Sequence, residues 1–325
     1  RKKLQKIREV IFNLNYWFIG TGQFAALCLE NLTKKNIAFT KIITGLPTRS
    51  GRNGKENPSP VELKADELNL TVTRTGKLTE NHELLSEFEN DKERPDLIFV
   101  IDFGQIIREP FLSGTKFGCL NIHPSLLPKY RGAAPIQRAL MNGEKFTGVT
   151  VFKLVKAMDA GEILAQEKFE IPENFYASDL YSKLAEIGCE ICVEALKNLP
   201  DLVFTPQDDL QTTYADKITK DEFQVSFTMT AEKFCYTVRA LDMSGGAYVI
   251  IRNKRLKIWR AEIHEINHEN FGHVLKFENK TKNPIISCEN FCVELCEIQS
   301  EGKKRMSGKE WADGLRLKLG ENLLQ

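Results

Sequence analysis

The chain has 325 residues, 42% apolar and 27% charged, with a formal charge of +1. That length exceeds one average domain, so two are expected, and the near-neutral balance excludes a general polycation and leaves any nucleic-acid contact to local patches. No run of eighteen apolar residues marks a membrane span, and the eight irregularly spaced cysteines suit buried thiols of a reducing compartment better than a disulfide framework.

The first residues, Arg1-Lys-Lys-Leu4 onward, are basic. A transit-peptide remnant is one reading of residues 1–14, but Glu9 and the absence of serine favour a short surface extension. Tyr16 to Gly20 is an apolar run, followed by a Gly20-Thr-Gly22 turn and an apolar-periodic segment from Phe24 to Leu32, which predicts strand, tight turn and helix. Gly20, Gly22 and Ala25 satisfy G-x-G-x-x-A. The next strand, Phe39 to Thr44, ends without the acidic residue that would hold a ribose, so the glycines are read as turn-formers and not as a dinucleotide site. Residues 46–57 interleave Arg49, Arg52 and Lys55 with Gly51 and polar residues, which predicts a mobile basic loop.

Pro58-Ser-Pro60 opens a helix to Leu68, Leu70 to Thr73 reads as a strand, and His82 to Phe88 as a helix. Leu97 to Asp102 and Cys119 to His123 read as buried strands of a parallel sheet. Ile136 to Asn142 is a predicted helix, Thr147 to Leu154 and Ile163 to Ile171 are strands, and Asp179 to Asn198 is an amphipathic helix whose apolar stripe takes in Cys189 and Cys192 as core residues. From Tyr214 the pattern changes to short alternating runs (247–252, 255–263, 273–277, 284–288 and 292–298), which predicts a small antiparallel barrel. His264-Glu265-Ile-Asn-His268 matches H-E-x-x-H. Zinc peptidase chemistry needs both histidines on one helix face, whereas this motif follows a strand and runs into a turn, so no metal is expected.

The most informative stretch is Cys119 to Pro135 with Met158-Asp-Ala-Gly161. Asn121 and His123 are two apart on a strand and therefore share a face, where the strand gives out into a Pro- and Gly-punctuated loop. An amide donor, an imidazole and a later carboxylate, Asp159, are the parts of an acyl-transfer site. Ser125, Leu126, Leu127 and Pro128, with Phe103 and Gly104, could line an apolar slot, and Leu127-Pro128 is a candidate cis peptide.

On these residues the chain resembles the folate-dependent formyltransferases, from about Tyr16 to Leu324. Asn121-Ile-His-Pro-Ser-Leu-Leu-Pro128 and Asp159-x-Gly161 carry the family likeness. Arg131-Gly-Ala-Ala-Pro-Ile-Gln-Arg138, Thr147-Gly-Val-Thr150, Gly51-Arg52 ahead of Pro58-Ser-Pro-Val61, Tyr214-Ala-Asp-Lys-Ile218 and Gly302-Lys-Lys-Arg-Met-Ser307 point to its methionyl-tRNA branch. The resemblance implies a Rossmann-like catalytic domain over residues 15–203, a linker over 204–215 and an OB-like barrel that binds tRNA over 216–325. It implies transfer of the formyl group of 10-formyltetrahydrofolate to the α-amine of initiator methionyl-tRNA, in a monomeric enzyme of the bacterial cytoplasm. Asn121, His123 and Asp159 match the catalytic trio, Ser125 to Pro128 the folate-contacting loop, and Gly51 and Arg52 a loop near the acceptor stem. Phe24 matches a residue near the methionine side chain. Further cations assigned to tRNA are Arg49, Lys55, Arg131, Lys254, Arg255, Lys303, Lys304 and Arg305. A formyltransferase for a small amine, such as an amino sugar or glycinamide ribonucleotide, would share the trio with less reason for a basic loop and appended barrel. A non-catalytic RNA-binding protein would not need the trio.

The chain departs from the family pattern at three places. Gly20-Thr-Gly-Gln-Phe24 stands where Gly-Thr-Pro-acid-Phe is usual, Val225-Ser-Phe-Thr228 replaces Ile-Asp-Trp-Ser, and Met243-Ser-Gly-Gly246 replaces Pro-Trp-Pro.

Overall fold

The computed structural model describes residues 14–50, 55–276 and 282–324. They divide into two compact units that are discontinuous in sequence. The first is made of residues up to Gly132, Phe146–Glu170 and Tyr181–Tyr214; the second of Ala133–Lys145, Ile171–Leu180 and Ala215 onward.

In the first unit, β1 (Tyr16–Gly20) leads into α1 (Gln23–Lys34) and β2 (Phe39–Gly45). Within the segment expected to be a mobile loop, β3 (Thr48–Ser50) and β4 (Lys55–Asn57) pair as a short antiparallel ribbon, and residues 51–54 between them lie outside the described residues. Helix α2 (Pro60–Glu67) follows, its start capped by Ser59 Oγ, which accepts from Glu62 N at 3.0 Å. β5 is Thr73–Thr75, later than the expected Leu70–Thr73, because Leu70 is still tied by its N–H to the end of α2 at Ala65 O. Then come α3 (His82–Glu89), β6 (Leu97–Ile101), β7 (Cys119–His123) and the two-residue β8 (Arg131–Gly132).

Helix α4 (Pro135–Met141) belongs to the second unit. β9 (Phe146–Lys153) and β10 (Ile163–Glu170) return to the first, and α5 (Ala177–Leu196) begins in the second and ends in the first. The sheet order is β10-β9-β7-β6-β1-β2-β5. The five strands from β7 to β5 are parallel, and β9 and β10 are antiparallel to their neighbours. Strands buried on both faces read as continuous apolar runs, as in Leu97–Ile101, every residue of which is buried. Trp17, Ile98, Phe103, Ile107 and Phe111 share one core cluster of this unit.

Strand β11 (Tyr214–Ala215) spans the division between the units. The second unit holds an antiparallel sheet in the order β12-β13-β16-β15-β14, with β17 (Met306–Ser307) on β16. Its strands are β12 (Ala247–Ile251), β13 (Lys254–His264), β14 (Val274–Lys276), β15 (Ile285–Ser287) and β16 (Cys292–Ser300), close to the alternating runs of the sequence. Helix α6 (Ala231–Ala240) packs on β13, and α7 (Gly308–Leu315) closes the chain. Among the described residues no helix is long and apolar enough to cross a membrane. All eight cysteines are free; seven are buried and Cys296 is partly so.

Candidate active site

Everything expected of the reacting centre falls in the first unit. β7 carries half-buried Asn121 and buried His123 on one face at its carboxyl end. His123 Nε2 lies 2.9 Å from Tyr130 O. A carbonyl oxygen only accepts, so Nε2 is the ring's donor and Nδ1 is left as the acceptor of the neutral imidazole. Nδ1 faces Asp159 Oδ2 at 3.8 Å, a charge-pair distance longer than a hydrogen bond. Orientation of the ring therefore comes from the Tyr130 carbonyl, with Asp159 at charge-pair distance.

Asp159 is fixed at both its carboxylate and its carbonyl. Its Oδ2 accepts from Gly132 N at 2.8 Å. Its own carbonyl and that of Gly161 accept from Gln207 Nε2 at 2.8 and 2.7 Å. Gly161 has no room for a side chain, since a Cβ would come within 1.7 Å of Lys153 O. Gln207 is steered in turn by Arg131, whose Nε and Nη2 donate to Gln207 Oε1 at 3.1 and 2.7 Å and whose Nη2 reaches Asp209 Oδ1 at 2.7 Å. Arg131 was expected to touch tRNA. It is only 6% exposed and its fork is committed to these two partners, so its position is that of a framework residue.

The candidate folate segment is similarly tied down. Ser125 Oγ donates to Lys129 O at 2.7 Å, Thr150 Oγ1 donates to Ser125 O at 2.7 Å, and Leu127 N donates to Thr150 Oγ1 at 3.1 Å. Gln166 Nε2 donates to Leu127 O at 2.9 Å, and Leu127-Pro128 is cis. Ser125, Leu127 and Phe103 are buried, whereas Leu126 and Pro128 are half-buried and Gly104 is exposed with φ +71°. A cavity of about 440 Å³ lies beside the segment that leads to Asp159. It is lined by Leu112, Phe117, Lys153, Leu154, Lys156 and Phe204 among others, and by none of the six residues proposed for folate.

The departure at Gly22 has a structural counterpart at Asp102, which the sequence reading did not single out. Asp102 has φ +46°, and its carbonyl accepts from Thr21 N and Gly22 N, both at 3.0 Å. Its carboxylate accepts from Phe24 N and Ala25 N. One flank of the residue is exposed, yet packing of the carboxyl under the turn pushes its pKa up to about 6, the two N–H bonds opposing that rise. Phe24 is 3% exposed and packs edge-on to Tyr181 with ring centres 6.0 Å apart.

A family model described as formyl transferase matches residues 14–196, and one described as formyl transferase, C-terminal domain, matches residues 217–316. The chain belongs to the formyltransferase family. It is 36% identical over 308 residues to a methionyl-tRNA formyltransferase of Caldicellulosiruptor saccharolyticus, covering 94% of this chain and 98% of that protein. With the protein of that name from Dictyoglomus thermophilum it shares 35% identity over 308 residues, at the same coverages. Among solved structures it is similar to HypX of Aquifex aeolicus in complex with tetrahydrofolic acid, with TM-score 0.63 and 19% identity over 95% of this chain; it spans about half of HypX, 48%. A methionyl-tRNA formyltransferase from Clostridium thermocellum aligns with TM-score 0.54 and 18% identity, over 78% of this chain and 95% of that one. At such identities the structural likeness shows the shared fold alone.

In this formyltransferase the second unit carries the other candidate cations. The register Leu256↔Ser300 brings the first residues of β13, exposed Lys254 and Arg255, and the turn after β16, with exposed Lys303, Lys304 and Arg305, to one end of adjacent strands. Arg255 lies over the Tyr248 ring at 4.0 Å, and Arg305 and Lys257 lie over Trp259 at 3.5 and 5.5 Å. Gly51 and Arg52 lie outside the described residues, and Arg49 and Lys55 are placed on the β3–β4 ribbon by their backbone alone.

The H-E-x-x-H stretch is split, as its strand context predicted. His264 ends β13 and its Nε2 lies 2.8 Å from Glu294 Oε2, whereas His268 Nε2 lies 3.0 Å from Phe291 O. Among the described residues, Glu262, His264 and Glu294 bring one ligand-capable atom each within 4.8 Å of the others; Glu265 and His268 are not of that group. The peptidase reading fails on this arrangement.

Proposed function

We propose that the protein transfers the formyl group of 10-formyltetrahydrofolate to the α-amino group of initiator methionyl-tRNA. The observation that carries this reading is identity of 36% across 94% of the chain with a protein of that activity by name, joined to Asn121, His123 and Asp159 in one unit.

The chain's own groups suit the chemistry. As the amine attacks the formyl carbon, negative charge develops on the formyl oxygen. The Asn121 amide donates to that oxygen from the carboxyl end of β7, and His123 contributes through Nδ1 when the ring is protonated. A donor of this kind is worth about 3 kcal/mol at comparable oxyanion sites. Asp159 stabilises the imidazolium and receives, directly or through water, the proton that the amine sheds; collapse of the tetrahedral intermediate then breaks the bond from the formyl carbon to N10 of the folate, and that proton passes to N10. The donor's pterin would lie against Ser125, Leu126, Leu127 and Pro128 with Phe103 and Gly104, and Phe24 would stand beside the methionine side chain.

In this reading residues 15–203 form the catalytic domain, 204–215 a linker and 216–325 the tRNA-binding domain of a cytoplasmic monomer. Phosphates would be met by Lys254, Arg255, Lys303, Lys304 and Arg305, and by Arg49, Arg52 and Lys55 of the first domain. Supplying the formyl donor together with methionyl-initiator tRNA, an amino sugar nucleotide or glycinamide ribonucleotide, and following which one acquires the formyl group, tests the proposal. Formylation of the tRNA alone is expected; formylation of a small amine in preference would overturn it.

A further inference from the structure

The first turn of α1 lacks the side chain that ordinarily satisfies a helix start. Its N-cap is Gly22, with no side-chain cap bond and no acidic residue in the first turn. The orphan N–H groups at the second and third helical positions, Phe24 and Ala25, are met instead by the carboxylate of Asp102, which arrives from the end of β6.

Two measurements show that this exchange involves both residues. Gly22 has φ −79°, a conformation any residue adopts, so the backbone does not demand glycine there. Space does: a Cβ on Gly22 would lie 1.9 Å from Asp102 Oδ2 and 2.3 Å from its Cγ. Asp102, in turn, is held left-handed and takes both Thr21 N and Gly22 N on its carbonyl. The β6–β7 register pairs Ile98 with Cys119 and Phe99 with Leu120. The two strands run parallel, so Asp102, the residue after β6, lies at the same carboxyl end of the sheet as His123, the last residue of β7. The clamped turn therefore stands at the reactive end of the sheet.

We propose that Asp102 is a positioning residue for formyl transfer, acting with Gly22 as a matched pair that seats the first turn of α1, and with it Phe24, for the aminoacyl acceptor. The acceptor's identity rests on the function proposed above; the pairing itself does not. Neither residue touches the reacting atoms. The pair replaces an N-terminal cap on the helix by one supplied from a neighbouring strand, and it ties the placement of Phe24 to the strand next to the one that bears His123.

The test is a double-mutant cycle in the full chain with Gly22→Ala and Asp102→Gly, glycine being chosen at 102 to suit the left-handed backbone. Gly22→Ala is expected to raise the KM for methionyl-tRNA at least tenfold while the KM for the formyl donor stays within twofold. Asp102→Gly raises it less, Asp102→Asn least, and the double variant returns to the level of Asp102→Gly because the collision is gone. Losses that multiply in the double variant, or a rise in donor KM with acceptor KM unchanged, would overturn the pairing. Thermal unfolding of the same variants decides the matter even if Gly22→Ala proves inactive. A double variant that melts above Gly22→Ala supports the clamp, and one that melts below it refutes it. Should the wild-type chain fail to formylate methionyl-tRNA, the functional reading falls, while the unfolding cycle still judges the pair.

Discussion

His123 is held by its far nitrogen: Nε2 bonds the carbonyl of Tyr130 at 2.9 Å, while Nδ1 faces Asp159 Oδ2 across 3.8 Å. The ring is thus oriented by backbone, and the carboxylate is free to act by charge. Asp159→Asn keeps an oxygen for Gly132 N and removes only that charge. Its kcat is expected to fall by about 10²–10⁴ with an unchanged melting temperature, whereas Asp159→Ala loses the Gly132 bond and melts lower as well. Steady-state rates and thermal melts of the two variants separate these roles; equal kcat in Asp159→Asn and wild type would show that the charge is idle.

The loop bearing Asp159 depends on a relay from Arg131 through Gln207. Gln207→Ala frees the carbonyls of Asp159 and Gly161 and leaves buried Arg131 with Asp209 alone. A stability loss of about 1–3 kcal/mol in denaturant titration is expected, with kcat reduced and donor KM little changed. A variant as active as wild type would show that the loop is set by other contacts.

Asp102 gives a pH signature with a definite sign. Burial raises its carboxyl from 3.8 to about 6, so the fold favours the protonated form. Stabilisation from this group is full below about pH 4 and is lost as pH rises through about 6. Asp102→Asn is neutral throughout. The stability of wild type relative to the variant should therefore fall between pH 4 and 7, by about 1 kcal/mol once the residue's exposed flank is allowed for. Melts across that range check it, and a difference that grows with pH would reverse the assignment.

The cations gathered at one end of the second unit's sheet predict a salt-dependent affinity for tRNA. Each phosphate contact contributes roughly 0.7–0.9 to the slope of log affinity against log salt, so Arg255→Ala and Arg305→Ala should each lower the slope by about one. Arg305→Ala should also remove the nearer of the two cations over Trp259 and change its fluorescence response to tRNA. Slopes identical to wild type would move the phosphates elsewhere.

Much of this arrangement was legible in the sequence, because it rests on local pattern. β1, β6 and β7 are apolar runs, and the two-residue spacing of Asn121 and His123 fixes their common face. Tyr130, Gln207 and Asp102 escaped notice because their roles are set by contacts far apart in sequence or by a backbone carbonyl, which no residue type announces. Helices α6 and α7 were overlooked among the alternating runs of the second half, although each carried a start signal. Thr230 Oγ1 accepts from Lys233 N at 3.2 Å, and Ser307 with Glu310 forms a capping box. The contribution of residues 133–145 and 171–180 to the second unit follows from tertiary packing, and no composition shift marks it.

The most direct trial of the central claim is single-turnover formylation of methionyl-tRNA by wild type and by His123→Ala, with donor and tRNA affinities measured alongside. A chemical step slowed by about 10²–10³, with both dissociation constants within twofold of wild type, is the predicted result. A step as fast as that of the wild-type chain would contradict it.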